Sequence, residues 1–376
     1  MATIAIVVVV VVIIVVGAYA ALTLSTSPSS SSTTSTTTQS TTATTSAATT
    51  TTTTASSSTT PSSLTPVSYV TDFGVGGRQA GIFAAKNEGF YAQQGLSVTI
   101  QTGTGSLNSA QLVASGKVTF ADVDAGTFAL AVEGGITNIT AIMVLEQANS
   151  NAMMSFSPIP TPKSLENKTF GTSPGNSGTY LAPAVMALNG ANFSTLKVIT
   201  VSAASLTSGF LQGQFQLSPT AVDNLLVIAQ FGAGGRPIYT LNYTDWGLKT
   251  YDFIIITSNS FMQSNPAAVS AFVKGTIEGV QWAMSNPAKA VSDIAADIPS
   301  LNSTIASLQW STAQRFFATP FAVKNYGQFN SSEFLAGELF YLNATGTKPT
   351  ISLNNTFTNQ FVPPNQTLPI PAVTNP

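Results

Sequence analysis

The chain of 376 residues contains no cysteine and no histidine, and only 7% of its residues are charged. Without these side chains the protein has no thiol or imidazole nucleophile, no histidine general base and no zinc finger or histidine-ligated metal. Most familiar hydrolase mechanisms are thereby excluded. The formal net charge of −2 also argues against a nucleic-acid partner, because phosphate binding requires clustered lysine and arginine.

The charged fraction of 7% is far below the ordinary value of about 25%, so serine, threonine, asparagine and glutamine supply the polar surface. Such a surface titrates little. If few carboxylates change their pKa on folding, stability depends only weakly on pH. This composition suits an acidic exterior, and a compositional bias of the lineage explains it equally well.

Residues 1–71 contain no charged side chain at all. The apolar run Ala2–Leu24 is long enough for a helix that crosses a bilayer, which needs about 20 residues. We predict a retained transmembrane anchor over residues 1–24. A cleaved signal segment is the alternative, because Ala18-Tyr19-Ala20 resembles a cleavage site although no basic residue precedes it. Residues 25–66 are nearly all Ser and Thr and are predicted to form a disordered stalk, O-glycosylated or plain.

Sequons of the form Asn-x-Ser/Thr are frequent after the stalk, and they predict N-glycosylation. They are Asn138, Asn167, Asn192, Asn242, Asn302, Asn330, Asn343, Asn354 and Asn365. Together with the anchor and the stalk, they place the folded part on the extracellular face of the cytoplasmic membrane. If the N-terminal segment is cleaved, the protein is secreted instead.

The remainder of the chain is long enough for two lobes. Residues 67–157 alternate strands and helices, which predicts a first lobe with a parallel sheet covered by helices. Residues 158–256 repeat this alternation as a second lobe, and residues 257–376 are expected to return to the first lobe with C-terminal helices and an extended tail. The predicted strands are 67–71, 96–101, 118–123, 139–145, 168–172, 198–201, 215–220 and 253–257. The predicted helices are 79–94, 110–115, 127–133, 179–188, 206–212 and 222–231, followed by two that begin at Pro266 and Pro287.

Four stretches, in order along the chain, carry a family resemblance. They are AGIFAAKNEGFYAQQGLSVTI, LVASGKVTFADVDAGTFALAVEGG, SLENKTFGTSPGNSGTYLA and TDWGLKTYDFIIITSNSFMQSNPAAVSAFVKGTIEGVQWAMSNPAKAV. The chain from about residue 67 to 295 resembles the substrate-binding proteins of ABC transporters for thiamine pyrimidine precursors and for nitrate, sulfonate and taurine. The resemblance implies a two-lobed, type II periplasmic-binding-protein-like fold of the α/β class, with a solute in the cleft between lobes joined by two crossing strands.

The resemblance places the solute at loops that follow the strands, where open α/β sheets bind ligands. Glycines at 76, 77, 105, 175 and 178 are expected to let the backbone approach the solute, and helix starts to direct N–H donors at it. Such a site favours an anion or an acceptor-rich group, and Arg78 could bind a carboxylate or sulfonate with two donors. The predicted ligand-binding residues are Phe73, Gly77, Arg78, Gln79, Thr104, Gly105, Ser106, Asp124, Thr127, Asn176, Ser177, Thr179, Tyr180, Thr220 and Asp223.

Several of these residues have simpler interpretations. Arg78 could be a solvated surface residue, and Phe73 could belong to the core. Asp124 and Asp223 are more often helix caps than ligand contacts. Gln216 stands where the resembling family usually has aspartate, in the strand before Thr220.

We therefore predict a monomeric extracellular receptor that binds a small anionic or heteroaromatic solute and delivers it to an ABC permease and its ATPase. It is expected to be no enzyme and to carry no cofactor or metal. The pyrimidine-precursor synthases that share the implied fold depend on histidine and a cysteine-rich motif, which this chain lacks. The alternative is a glycosylated cell-surface structural or adhesion protein that reuses the fold.

Overall fold

The computed structural model describes residues 63–369. The predicted anchor and all but the end of the predicted stalk lie outside the described residues and stay predictions. Within residues 63–369 no helix combines the length and the apolar character needed to cross a bilayer.

The described residues form strands and helices that alternate through the first part of the chain and become helical after residue 258. The strands are β1 (Thr65–Val70), β2 (Phe73–Gly74), β3 (Leu96–Gln101), β4 (Gly103–Thr104), β5 (Phe120–Asp124), β6 (Ile139–Val144), β7 (Asn151–Ser155), β8 (Thr169–Thr172), β9 (Lys197–Thr200), β10 (Leu217–Ala221), β11 (Tyr239–Asn242) and β12 (Phe253–Ser258). The helices of the first part are α1 (Ala80–Asn87), α2 (Phe90–Gln93), α3 (Ser106–Ala114), α4 (Ala125–Glu133), α5 (Ser177–Leu188), α6 (Leu206–Leu211) and α7 (Leu225–Gly232). The later helices are α8 (Asn259–Ser264), α9 (Pro266–Ser285), α10 (Pro287–Asp297), α11 (Ser303–Phe317), α12 (Ala322–Asn325) and α13 (Ser331–Ala344).

The strands form two five-stranded sheets and one small ribbon. The first sheet has the order β3-β1-β5-β12-β6, the second has the order β11-β7-β10-β8-β9, and β2 pairs with β4. The expectation of wholly parallel sheets is wrong, because β12 runs antiparallel to both of its neighbours and β7 antiparallel to β10 and β11. These antiparallel strands are the ones that the chain enters after crossing from the other sheet.

The chain crosses between the sheets twice. It passes from β6 to β7 through residues 145–150 and returns from β11 to β12 through residues 243–252. Both crossings lie ahead of residues 157 and 256, where the sequence places the ends of the first and second lobes. The division of the chain into those lobes stays a prediction.

An aromatic and aliphatic core lies between the first sheet and the helices that cover it. The Phe120 ring on β5 stacks on Phe272 of α9 with 4.0 Å between centroids, and Tyr91 of α2 stacks on the same ring at 5.1 Å. All three side chains are fully buried. The apolar face of α9 thus packs against the first sheet and holds the strands that contribute one side of the candidate site.

The predicted single helix over residues 79–94 is interrupted. Gly89 has a φ of +80° and separates α1 from α2, because a left-handed residue cannot continue an α-helix. Helix α3 begins at Ser106, four residues before the predicted start. The starts of α9 at Pro266 and α10 at Pro287 are confirmed, as expected for proline in the first helical turn.

Candidate functional site

A narrow cavity of about 20 Å³ lies between the two sheets and receives side chains from both. This is room for about one water molecule, so a larger solute requires the two halves to move apart. Polar groups come from the loop after β1, from α5 and β7, and from the end of β10. The lining residues are Asp72, Phe73, Arg78, Asn151, Asn176, Ser177, Thr220, Ala221, Asn224, Leu225 and Phe253.

The structure brings together part of the predicted ligand-binding set. The predicted residues that line this cavity are Phe73, Arg78, Asn176, Ser177 and Thr220. Thr127 and Tyr180 line a second, largely apolar cavity of about 270 Å³ beside α3 and α4. The predicted residues that line neither of these cavities are Gly77, Gln79, Thr104, Gly105, Ser106, Asp124, Thr179 and Asp223.

Sequence reasoning missed the other lining residues for identifiable reasons. Asn151 lies on β7, whose short sequence carries no strand signal. Phe253 begins a buried strand and reads as core from the sequence alone. Asp72 precedes Arg78 by six residues, so the proximity of two opposite charges in the sequence could have identified it.

Arg78 is 3% exposed and already paired within the protein. Its Nη2 donates to Asp72 Oδ1 at 2.5 Å, and its Nε lies 3.8 Å from Glu146 Oε1, within ion-pair distance but too far for a hydrogen bond. The guanidinium carbon lies 4.0 Å from the centroid of the Phe253 ring. The interpretation of Arg78 as a solvated surface residue is therefore wrong.

Six buried carboxyl groups surround Arg78, and we call them the acidic cluster. They come from β5, from the loops after β1 and β10, and from the two crossings of the chain, and none is more than 3% exposed. The acidic cluster consists of Asp72, Asp122, Asp124, Glu146, Asp223 and Asp252. The chain has 15 acidic residues in all, so a large share of its negative charge is concentrated at one buried place.

Hydrogen bonds satisfy only some of these carboxyl groups. Asp252 accepts from the Ser150 backbone N–H at 2.6 Å, and Asp124 accepts from the Thr127 N–H at 2.8 Å as the cap of α4. Both carboxyl oxygens of Glu146 have no hydrogen-bond partner within residues 63–369, and those of Asp223 meet no donor at good geometry although the Ser150 hydroxyl lies beside that carboxyl group. The helix-cap interpretation is confirmed for Asp124 and wrong for Asp223.

Burial and mutual repulsion raise the pKa values of Asp122, Asp124, Glu146, Asp223 and Asp252. Burial raises the pKa of Asp122 to about 8 and that of Asp124 to about 7. Burial and the neighbouring Asp223 raise the pKa of Glu146 well above its usual range, against the opposing effect of Arg78. Burial alone would lower the pKa of Arg78, but Asp72, Asp223 and further carboxylates raise it well above its usual value.

The glycines that were expected to let the backbone approach a ligand approach other protein segments instead. A Cβ on Gly77 would lie 1.9 Å from the Ala306 carbonyl oxygen, and one on Gly178 would lie 2.9 Å from Pro219 Cβ. The starts of α4 and α5 are likewise occupied, because the Asn176 side chain accepts from the Thr179 N–H as Asp124 does from Thr127. These features are therefore used for packing and capping, and the donors left at the cavity are Nε and Nη1 of Arg78, which have no hydrogen-bond partner within residues 63–369.

The two halves of the molecule touch beside the cavity. Gly105, which follows β4, has a φ of +140°, and a Cβ there would lie 2.3 Å from the carbonyl oxygen of Gly175. Next to this contact the hydroxyl groups of Ser106 and Ser177 lie 3.0 Å apart in a hydrogen bond. The close backbone contact beside the cavity therefore requires glycine at residue 105.

After the Gly105–Gly175 and Ser106–Ser177 contacts, a third link between the two halves of the molecule comes from α11, a helix that the sequence did not predict. Gln309 is 1% exposed; its Oε1 accepts from the Gly77 N–H at 2.8 Å. Its Nε2 donates to Asn224 Oδ1 at 2.7 Å. One amide therefore joins the loop beside Arg78 to the loop beside Asp223.

We expect Gly105→Ala to move the two halves apart. The added methyl group would overlap the Gly175 backbone, which unlike the end of a flexible side chain cannot turn away, so the contact must open. Gly135→Ala is the matched control, since Gly135 also has a positive φ, +103°, and no neighbour within 4 Å. In both variants an alanine with positive φ lowers the free energy of unfolding by about 1 kcal/mol or more. Only Gly105→Ala should change the arrangement of the two halves.

Double electron–electron resonance measures this change directly. The natural chain has no cysteine, so Ser97→Cys on β3 and Ser208→Cys on α6, both exposed, give one spin-label pair without background. The mean distance should lengthen or broaden in Gly105→Ala and stay as in the parent in Gly135→Ala. An identical distance distribution in all three proteins would contradict the role of Gly105.

The predicted glycosylation sites all lie at the surface. Seven of the nine sequon asparagines are exposed, and Asn242 and Asn330 are half-buried. Their accessibility is compatible with N-glycosylation, which stays a prediction.

Comparison with known structures shows the fold. The structure is similar to the alkanesulfonate-binding protein SsuA from Xanthomonas axonopodis pv. citri, with a TM-score of 0.62, 12% identity and coverage of 79% of this chain and 98% of that chain. It is also similar to the periplasmic nitrate-binding protein NrtA from Synechocystis PCC 6803, with a TM-score of 0.61, 13% identity and coverage of 79% and 87%. The predicted periplasmic-binding-protein-like α/β fold is therefore confirmed.

Sequence comparison assigns the family. A search of curated proteins found no significant match, whereas the model of the NMT1/THI5-like family matches residues 78–290. The match covers more than half of the chain and contains most of the cavity lining. The predicted family resemblance is confirmed, and the chain belongs to the NMT1/THI5-like family.

Proposed function

We propose that the protein is the extracellular solute-binding receptor of an ABC importer, which holds a small solute in the cavity between its two halves. The observation that carries the proposal is the cavity itself, because side chains from both sheets line it. A solute bound there touches both halves at once. It can therefore stabilise the closed arrangement through contacts that the open arrangement lacks.

The fold and the family support this function. The two similar structures bind an alkanesulfonate and nitrate by name, and both are proteins that bind a small solute. In this chain the two crossings at residues 145–150 and 243–252 would serve as the hinge. The receptor would act as a monomer, tethered through its N-terminal segment, and present the solute to a permease with its ATPase.

A thermal-shift screen of the full chain tests the proposal. We expect one member of a panel of aminopyrimidines, flavins, alkanesulfonates and nitrate to raise the unfolding temperature saturably. A ligand at 100 times its Kd stabilises the folded state by about 2.7 kcal/mol, a shift of several degrees for a protein of this size. Ala221→Trp, which would fill the cavity, should abolish the shift.

The control is Ala267→Trp, at an exposed position on α9, which should leave the shift unchanged. No saturable shift with any member of the panel would count against the receptor and favour a structural or adhesive surface protein. A shift that survives Ala221→Trp would show that the solute binds elsewhere.

A further inference from the structure

We propose that the second cavity, beside α3 and α4, is a binding site for a small uncharged apolar compound that bridges the two halves of the molecule. This site is separate from the solute cavity of the proposed receptor, because the two cavities share no lining residue. It offers about 270 Å³ of room, compared with about 20 Å³ in the first cavity.

The walls of the second cavity set the chemistry of its ligand. None of the residues that line it carries a charge; they are Leu107, Gln111, Thr127, Leu130, Ala131, Gly134, Ile136 and Tyr180. A charged compound would lose its hydration there without gaining an ionic partner, whereas an apolar compound gains free energy by leaving water. The walls therefore favour a neutral and largely apolar ligand.

The size of the cavity suits an aromatic ring with a short substituent. An apolar cavity of about 150 Å³ is large enough for benzene, so 270 Å³ leaves room beyond a single ring. Leu130 and Ile136 are half-buried and Gly134 is exposed. The cavity is thus reached from solvent, and a ligand can enter it while α3 and α4 stay folded.

Two side chains can bind one polar group on such a ligand. The Tyr180 hydroxyl accepts from the Gly175 N–H at 3.4 Å and keeps its own proton for a further hydrogen bond. Gln111, half-buried on α3, brings a side-chain amide. The Thr127 hydroxyl is fully buried beside the Asp124 carboxyl group, so it contributes less to the wall.

Tyr180 makes the site span both halves of the molecule. The other lining residues belong to α3, to α4 and to the loop after α4, whereas Tyr180 lies on α5, which packs on β7 and β10 of the second sheet. Helices α4 and α5 meet directly, since a Cβ on Gly126 would lie 2.9 Å from Leu181 Cδ2. A ligand of this cavity therefore contacts elements from both sheets.

The hydrogen bond between Ser106 and Ser177 ties the second cavity to the movement of the halves. Leu107 directly follows Ser106, and Tyr180 lies one helical turn after Ser177. A compound held between Leu107 and Tyr180 opposes any movement that parts the two serines. Its binding therefore favours the closed arrangement, and the compound acts as an effector distinct from the transported solute.

Compounds of one shape and different charge test the ligand class. Benzyl alcohol, benzoate and benzylammonium carry charges of 0, −1 and +1 at neutral pH. Isothermal titration of the full chain should show one saturable site for benzyl alcohol, and in competition titrations both ions should displace it with at least 10-fold weaker affinity. Displacement by either ion with equal affinity, or no saturable binding of benzyl alcohol, would overturn the assignment.

Variants locate the site. Ala131→Phe places a ring into the cavity from its buried wall and should weaken benzyl alcohol binding at least 10-fold. Ala267→Phe, at an exposed position on α9, should bind as the parent does. Ile136→Trp, at a half-buried lining position, replaces Ala131→Phe if that variant does not unfold cooperatively. Parent-like affinity in a folded lining variant would overturn the assignment.

The spin-label pair at Ser97→Cys and Ser208→Cys tests the bridging. Saturating benzyl alcohol should shorten or narrow the distance distribution in the parent and leave it unchanged in Ala131→Phe. An unchanged distribution with benzyl alcohol bound to the parent would overturn the bridging role. None of these measurements needs the transported solute, so their failure leaves the receptor function to its own ligand panel and to Ala221→Trp.

Discussion

Raising the pH from about 4 to about 8 is expected to lower the free energy of unfolding by several kcal/mol. In the unfolded chain, aspartates ionise near pH 4. In the folded protein burial raises the pKa of Asp122 to about 8 and that of Asp124 to about 7. Between these values the folded state binds more protons than the unfolded state, so each group lowers stability by up to about 1.4 kcal/mol per pH unit.

Urea unfolding of the full chain at pH values from 4 to 9 measures this dependence. Asp122→Asn should remove part of the slope, because asparagine stays neutral in both states. Asp245→Asn, an exposed control, should keep the parent slope. A free energy of unfolding that is constant or rises between pH 5 and pH 8 would contradict the raised pKa values.

Arg78→Met should destabilise the protein by about 3–5 kcal/mol at neutral pH, the usual loss when one partner of a buried ion pair is removed. The substitution keeps an apolar stem over Phe253 but deletes the only positive charge that the described residues offer to the acidic cluster. Asp72 would then remain buried without its 2.5 Å partner. The loss should shrink in acid, where protonation neutralises the carboxyl groups.

Arg315→Met is the matched control, since Arg315 is exposed on α11 and surface substitutions usually change stability by less than about 0.5 kcal/mol. Adding Asp72→Asn to Arg78→Met should restore part of the stability, which a double-mutant cycle quantifies. If Arg78→Met were as stable as Arg315→Met, the guanidinium would not hold the cluster together.

Local signals in the sequence predicted local structure well. Gly95 separates a helix from the strand Leu96–Gln101, and the structure has that strand with the same bounds. The prolines at 266 and 287 mark the starts of α9 and α10. In each case the residue restricts its own backbone, so neighbouring sequence suffices.

Pairings between distant segments were harder to predict. The strands β7 and β11 have the short sequences NAMMS and YTLN, which show no sustained alternation of apolar and polar residues. They are strands because they pair with each other in the second sheet. The helices α11 and α13 were missed as well, although both contribute buried residues.

The acidic cluster leads us to expect a stronger pH dependence of stability than the composition suggests. Composition counts carboxyl groups but does not say where they lie, and Asp72 and Asp252 are 180 residues apart along the chain. Only the fold brings them to Arg78. Low overall charge therefore coexists with a buried group of carboxyls whose ionisation is coupled to folding.

The side-chain amide of Gln309 connects the C-terminal part of the chain to the loops of the candidate site. The family match ends at residue 290, whereas Gln309 connects Gly77 with Asn224 across the cavity. A shortened protein that stopped at the family boundary would keep most lining side chains and lose the group that holds two of their loops in register. A shortened protein that is to keep the site intact must therefore include α11, although the sequence similarity ends before this helix.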